Sequence, residues 1–339
     1  MARAAAGRRA TLRDIAEVAG VSVPTVSKVV KGRADVSAET RARIQALLDA
    51  HGYVPRGTDQ ARAGSRTIEL CFSGMANANN LETMRGAVEA AERAGVHVVV
   101  KITPRDAAVT AWVDRVIEAQ HAGVILVTSR LPRAQQEQLA GAGIPIVVID
   151  PVNTPLEEMP SVGVNNFSGA YLATKHLLDL GHREIAMVTG VDSECAAARL
   201  AGYHEAVRER GVTPRPEWIQ TGDFTYEGGR RAGERILGGA PLPTAVFAAN
   251  DLEALAVIDV ARSRGLRLPE ELSIVGFDDS IQAISASPSL TTVRQPFAEI
   301  GATAVQLLLQ LVDGRPLASR RLELTTQLVV RQSTAPPRR

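Results

Sequence analysis

At 339 residues, with 45% hydrophobic and 22% charged side chains, the chain has the balance of a folded protein with two or three domains. Its formal charge of +1 hides a division: residues 1–66 hold 12 Lys/Arg against 6 Asp/Glu, whereas the rest holds 26 against 31. A basic head on an acidic body is the asymmetry expected when one end meets a polyanion. Cys71 and Cys195 make neither a CxxC pair nor an even framework, so a reducing compartment and no structural zinc are expected. No run reaches the roughly 18 apolar residues of a membrane span, and no apolar segment backs the early arginines, so a cytoplasmic protein without a membrane partner is expected.

Residues 1–10, MARAAAGRRA, suit a basic disordered tail, and apolar periodicity begins at Thr11. Thr11 can cap a first helix that buries Leu12, Ile15, Ala16 and Ala19 and ends at Gly20. After a tight turn, Ser22 can cap a second helix, with Pro24 in its first turn, where N–H groups lack intrahelical partners. Val26, Val29 and Val30 face inward, and Gly32 stops the helix. A third helix starts at Ser37 behind Val36, carries Ile44, Leu47 and Leu48, and stops at Gly52. Three short helices, the first two joined by a glycine turn, predict a helix-turn-helix head over 11–55. Residues 56–66, RGTDQARAGSR, read as a linker or a segment that folds on a partner.

From Thr67 onward strands and helices alternate. Strand-like runs lie at 68–72, 96–102, 123–127, 144–150, 184–188, 244–249, 272–277 and 290–293. Helical stretches such as 81–94, 168–180, 196–210 and 251–264 lie between, several closed by glycine. This predicts an α/β core of parallel sheets covered on both faces. The length favours two doubly wound lobes, and a ligand is expected at the carboxyl ends of the strands, where Asp150, Asn250-Asp251 and Asp278-Asp279 collect. Asn250 also suits an N-cap, and Asp278-Asp279 a capped loop. Asn79, Asn80 and Glu82, opening the first core helix, are weaker pocket candidates.

The run GVSVPTVSKVVKG (20–32) carries the head's chemistry. The second helix of a helix-turn-helix enters the major groove with its first turns at the base edges. Ser22, Thr25 and Ser27 suit phosphate contacts at a helix start; Val23 can touch a thymine methyl and Lys28 can donate to guanine. A solvated surface helix in an unrelated bundle carries the same short pattern. An enzyme is disfavoured: GxxxxGK[ST], GxGxxG after a strand, GxSxG and HExxH are all missing, the six histidines show no ligand spacing, and no cofactor or metal is expected. His176 and His182 read as structural.

The wider sequence decides between the two readings of the helix. TLRDIAEVAGVSVPTVSKVVKGRADVSAETRARIQALLDAHGYVP (11–55) closely resembles the DNA-binding head of the lactose-repressor/galactose-repressor family of bacterial transcription regulators. The resemblance continues through HLLDLGHREIAMVTG (176–190), ARLAGYHEA (198–206), TAVFAANDLEALA (244–256), LPEELSIVGFDDS (268–280) and SLTTVRQP (289–296). It implies a homodimeric repressor that binds a palindromic operator, with DNA affinity shifted by a small effector such as a sugar; inducer and corepressor stay open. It implies a periplasmic-binding-protein-like core over 67–332, with lobe 1 at about 67–165 and 296–322, lobe 2 at about 166–295 and 323–332, and a tail at 333–339.

By position, the resemblance makes Val23, Pro24 and Lys28 base readers and places Thr25, Ser27 and Lys31 at or near phosphates. The family usually has Arg where Lys28 stands, and Pro24 offers no side-chain hydrogen bond, so a more apolar, less guanine-driven readout is expected. Arg62 stands where the family wedges a leucine into the central minor groove, and it can either read that groove or contact phosphate. Effector residues map to Asp150, Arg199, Phe224, Asn250 and Asp278, with Gln295 and Phe297 near the crossover; Asn79 stays the weaker candidate named above. A planar Arg, carboxylates and an amide can satisfy several hydroxyls while Phe224 packs a sugar's apolar face. The alternatives are a sugar receptor without DNA readout and a periplasmic sugar-binding protein, the latter disfavoured by the basic head. No heptad-bearing tail helix ends the chain, so a dimer is expected over a tetramer.

Overall fold

In the computed structural model the described residues are 12–30, 36–50, 67–74, 78–102, 108–191 and 193–338. The chain divides into two compact units, Met1–Ser65 and Arg66–Arg339. Among the described residues no helix is long and apolar enough to cross a membrane.

The first unit contains α1 (Leu12–Ala19), α2 (Val23–Val30) and α3 (Ala38–Ala50). Gly20 takes φ +63° and ends α1, which lets the Val21 N–H reach back to the Ala16 carbonyl at 3.1 Å. Ile15, Ala16, Ala19, Val26, Val29, Ile44 and Leu48 form the buried core, with Val21, Val36 and Leu47 packed against it. These are among the apolar positions that the 3.6-residue period selects. The expected cap Thr11 and the stops Gly32 and Gly52 lie outside the described residues.

The second unit opens with β1 (Thr67–Phe72), α4 (Ala78–Arg93), β2 (His97–Ile102), α5 (Ala108–Ala119), β3 (Gly123–Val127), α6 (Arg133–Gly141), β4 (Ile146–Ile149) and β5 (Ser161–Val164). It continues through α7 (Asn166–Asp179), β6 (Ile185–Thr189), α8 (Glu194–Glu209), β7 (Ile219–Thr221), α9 (Tyr226–Leu237), β8 (Ala245–Ala248), α10 (Asp251–Ser263), β9 (Ser273–Val275) and α11 (Ile281–Ser285). It closes with β10 (Thr292–Arg294), α12 (Phe297–Val312), β11 (Arg321–Leu324) and β12 (Gln327–Val329). One parallel sheet runs β11-β5-β4-β3-β1-β2 and the other β7-β6-β8-β9.

Period-two alternation sorts each strand between two cores. Ile125 and Val127 join Ile68, Leu70 and Phe72 on one face of the first sheet, while Val124 and Leu126 join Cys71 and Trp112 on the other. In the second sheet Val188, Val246 and Ile274 face one way, and Met187, Phe247 and Val275 the other. Glycines close the helices as expected, with positive φ at Gly95, Gly181, Gly211 and Gly265.

Four details differ from the expectation. β2 is an edge strand, paired only with β1, and leaves Val99, Val100 and Ile102 exposed instead of covered on both faces. The run at 290–293 does not join a lobe as an ordinary strand: β10 pairs antiparallel with β12 and touches the second sheet through bridges at Thr291 and Arg294. The expected lobe boundary at 322/323 falls inside β11, whose pairing with β5 extends to Leu324 and Val164. Residues 333–335, expected as tail, are tied down: buried Ser333 donates to the Ile274 carbonyl at 2.6 Å, and Ala335 N–H to Ser273 Oγ at 3.0 Å.

Candidate functional site

In the head, Ser22 caps α2. Its carbonyl accepts the Thr25 and Val26 N–H groups at 2.9 and 3.2 Å, and its hydroxyl lies 2.8 Å from that of Thr25. Two of the expected phosphate-binding hydroxyls, Ser22 and Thr25, therefore already order the helix start. Val26 and Val29 are buried, Thr25 is half-buried, and Ser22, Val23 and Lys28 are exposed. Pro24 and Ser27 lie within α2; Lys31 and Arg62 lie outside the described residues.

In the core, all eight residues expected to hold an effector, Asn79, Asp150, Arg199, Phe224, Asn250, Asp278, Gln295 and Phe297, line one cavity of about 260 Å³. It lies at the carboxyl ends of β3, β4, β6 and β8, as doubly wound sheets dictate. Four residues around it, Thr128, Asp150, Phe224 and Asp278, are non-glycine positions with φ of +46°, +43°, +61° and +118°. Each such conformation costs on the order of 1–3 kcal/mol and persists only where its surroundings enforce it.

The enforcement is visible in the hydrogen bonds. Arg199, only 5% exposed, donates through Nε to Asn166 Oδ1 at 2.8 Å and through Nη1 to the Ala249 carbonyl at 2.5 Å. Its guanidinium lies over the Phe277 ring at 3.8 Å, and the Phe224 ring is 5.8 Å away. Asp278 accepts from Asn79 Nδ2 at 2.7 Å and Gln295 Nε2 at 2.6 Å, the first bond crossing from one lobe to the other. Asn250 caps α10 through Glu253 N–H at 2.9 Å and donates from Nδ2 to the Phe224 carbonyl at 2.9 Å. Its capping role is thus real, and it also fixes a wall of the cavity. Asp279 faces away, paired with Arg294 and Arg331 at 2.6 and 2.5 Å.

What remains open defines what the cavity can bind. Asp150's carboxylate accepts no hydrogen bond from the described residues, Gln295 Oε1 is buried without a partner, and Arg199 Nη2 makes no bond among the described residues. Two acceptors, a guanidinium donor and an aromatic ring suit a polyhydroxylated molecule. Burial pushes Asp150 up to about 6, a rise that Arg199 restrains and Asp278 adds to. Burial also raises Asp278, against the pull of Arg199, Gln295 and Asn79.

Sequence reasoning missed Glu253. Its Oε1 accepts the Asp223 and Phe224 N–H groups at 3.0 and 2.8 Å, so that Glu253 and Asn250 together clamp both ends of the Phe224 residue. The Asn250-x-x-Glu253 spacing, a variant of the capping box, was the available signal, although the carboxylate reaches a different loop from the one that motif implies. Burial pushes Glu253 up to about 8, against the two N–H groups, and Oε2 is left without a partner. Burial also pushes Asp251 up to about 7, although Thr292 and Ser280 donate to it.

These groups predict a pH dependence. Between the unfolded carboxylate range and about pH 8 the folded core holds protons that the unfolded chain has released, so stability falls as pH rises through that window. Burial lowers His176 and His182, which lowers stability instead when pH drops below their unfolded value near 6.5. Glu253→Gln, which cannot ionise, should flatten the decline between pH 6.5 and 9. Thermal melts of wild type and variant across that range check this, and identical slopes would contradict it.

The comparisons with known proteins agree with the geometry. Residues 11–56 match the model of bacterial regulatory proteins of the lacI family, and residues 174–334 that of a periplasmic binding protein-like domain. The chain is 34% identical over 335 residues to the HTH-type transcriptional regulator DegA of Bacillus subtilis (strain 168), covering 97% of this chain and 99% of that one. It is similar to the solved transcriptional regulator CelR–cellobiose complex, with TM-score 0.74, 34% identity, and 96% of this chain and 100% of that chain covered. It is also similar to the Lac repressor dimer bound to operator and the anti-inducer ONPF, with TM-score 0.72, 30% identity, and 97% and 100% covered. With a helix-turn-helix head, two doubly wound lobes and near-complete coverage of such relatives, the chain belongs to the lacI family of bacterial regulatory proteins.

Proposed function

We propose that this regulator represses transcription as a homodimer on a palindromic operator, and that a sugar or sugar derivative bound between the core lobes shifts its DNA affinity. The observation that carries the effector half is the single cavity where Arg199, Asp150, Asp278 and Phe224 converge. Because the Asn79–Asp278 bond spans the lobes there, a ligand that competes for it favours one lobe angle over another. CelR was solved with cellobiose and the Lac repressor as a dimer on operator, which supports both halves of the reading. The role is binding, carried out in the cytoplasm where the DNA is.

Exposed apolar side chains support the dimer. Val99, Val100 and Ile102 on β2, Leu81 and Val88 on α4, and Ile281 and Ile284 on α11 are left uncovered, Ile281 by 64%. In the head, Ser22, Val23, Pro24, Thr25, Ser27, Lys28 and Lys31 meet the half-site.

Thermal-shift screening against sugars and sugar acids tests the effector half. A stabilising compound should also change operator affinity and lose its effect in both Arg199→Ala and Asp278→Ala. A stabilising compound indifferent to both variants places the site elsewhere. Arg62 has two expected roles, reading the central minor groove or contacting phosphate. On the first, Arg62→Ala should weaken binding to an A·T-centred operator by about 1–3 kcal/mol and a G·C-centred one by less. Equal loss on both in a gel shift would leave Arg62 a phosphate contact only.

A further inference from the structure

The cleft between the lobes does not end at the cavity described above. A second cavity, of about 320 Å³, opens beside it and shares Asp150, Pro151 and Cys195 as a common wall. Asp150 forms the waist. Its left-handed backbone turns the residue out of β4, and its Oδ1 lies so close to β5 that a Cβ on Gly163 would come within 2.8 Å. The bare Gly163 leaves room for that oxygen on the side of the second cavity.

Each chamber also has its own aromatic face. Phe224 lies in the inner chamber with the tip of its ring against Gly190, where a Cβ would fall 2.0 Å from Cζ. Phe167, in the first turn of α7, lines the outer chamber and is 42% exposed, an unusual state for a ring inside a cleft. The two chambers are coupled through the protein: Asn166 lines the outer one and holds Arg199, which lines the inner one. At the outer chamber Thr154 donates to Glu194 at 2.6 Å, joining the β4–β5 loop of one lobe to α8 of the other.

On the reading of this cleft as the effector site, we propose that it takes a two-ring polyhydroxylated ligand, a disaccharide. One ring packs on Phe224, the second on Phe167, and Asp150 accepts hydroxyls at the junction. The outer ring competes for Glu194 and so acts on a lobe-to-lobe contact that a single ring in the inner chamber does not reach.

Titration calorimetry and thermal shift with cellobiose, maltose, lactose, sucrose and trehalose, against glucose, galactose and fructose, test this on the full chain. At least one disaccharide should bind about tenfold or more tightly than either of its component rings. Phe167→Ala, which empties the outer platform, and Ala198→Trp, which fills the outer chamber from another residue of its wall, should remove that advantage and leave binding of the single ring unchanged. A monosaccharide that binds as tightly as every disaccharide containing it, or variants that weaken both alike, would overturn the two-chamber site while leaving the effector reading intact. If none of the sugars binds the wild-type chain, the carbohydrate reading itself falls and the two-chamber site falls with it.

Discussion

Arg199→Ala should destabilise the core by about 3–5 kcal/mol near pH 8 and by clearly less near pH 5. The side chain supplies the buried positive charge beside Asp150 and Asp278, donates to Asn166 and the Ala249 carbonyl, and stacks on Phe277. Removing one partner of a buried charge cluster leaves the others uncompensated, which costs more than the bond itself. The pH dependence follows from sign. Without Arg199 both carboxylates rise further, so the folded state takes up protons and pays least where the medium supplies them. Arg199→Lys keeps the charge but loses the fork that reaches Asn166 and Ala249 together, so an intermediate loss is expected. Melting curves at pH 5 and 8 check this; a loss of the same size at both would mean that packing, not charge, sets it.

Val26→Asp should abolish specific DNA binding and leave the thermal transition of the core in place. Val26, Ile15 and Ile44 are fully buried at the meeting point of α1, α2 and α3, in a core of few residues. A head this small has little stability to lose, and a carboxylate placed there without a partner costs several kcal/mol. The expected drop in operator affinity is on the order of 10³ or more, down to the level of any duplex. Near-wild-type specific binding by this variant would show that α2 is not the reading element.

How much of this was legible depended on what each segment buries. The run GVILV declared β3 outright, because a strand covered on both faces has no polar positions to blur it. SVGV, IQT, RLEL and QLV did not declare β5, β7, β11 and β12, since three or four residues with polar or partly exposed positions carry no usable period. In the head, apolar spacing together with cap residues and glycine stops located all three helices. Asp150, Asn250 and Asp278 stood out at strand ends and Asn79 at a helix start, whereas Arg199, Phe224, Gln295 and Phe297 were named through family resemblance; the fold then brought them together across gaps of up to 199 positions, as between Asn79 and Asp278. What no pattern could supply was conformation. The left-handed turns at Asp150 and Phe224, and Glu253's hold on a loop 29 residues away, are set by long-range packing.

The most direct test of the account is the affinity of the purified chain for palindromic sequences upstream of its own gene, against scrambled duplexes of the same composition, over a range of salt. The account predicts one palindrome bound at least about 10³-fold more tightly than the scrambled duplexes, with affinity falling steeply as salt rises. Equal, weak binding to every duplex at every salt concentration would contradict it.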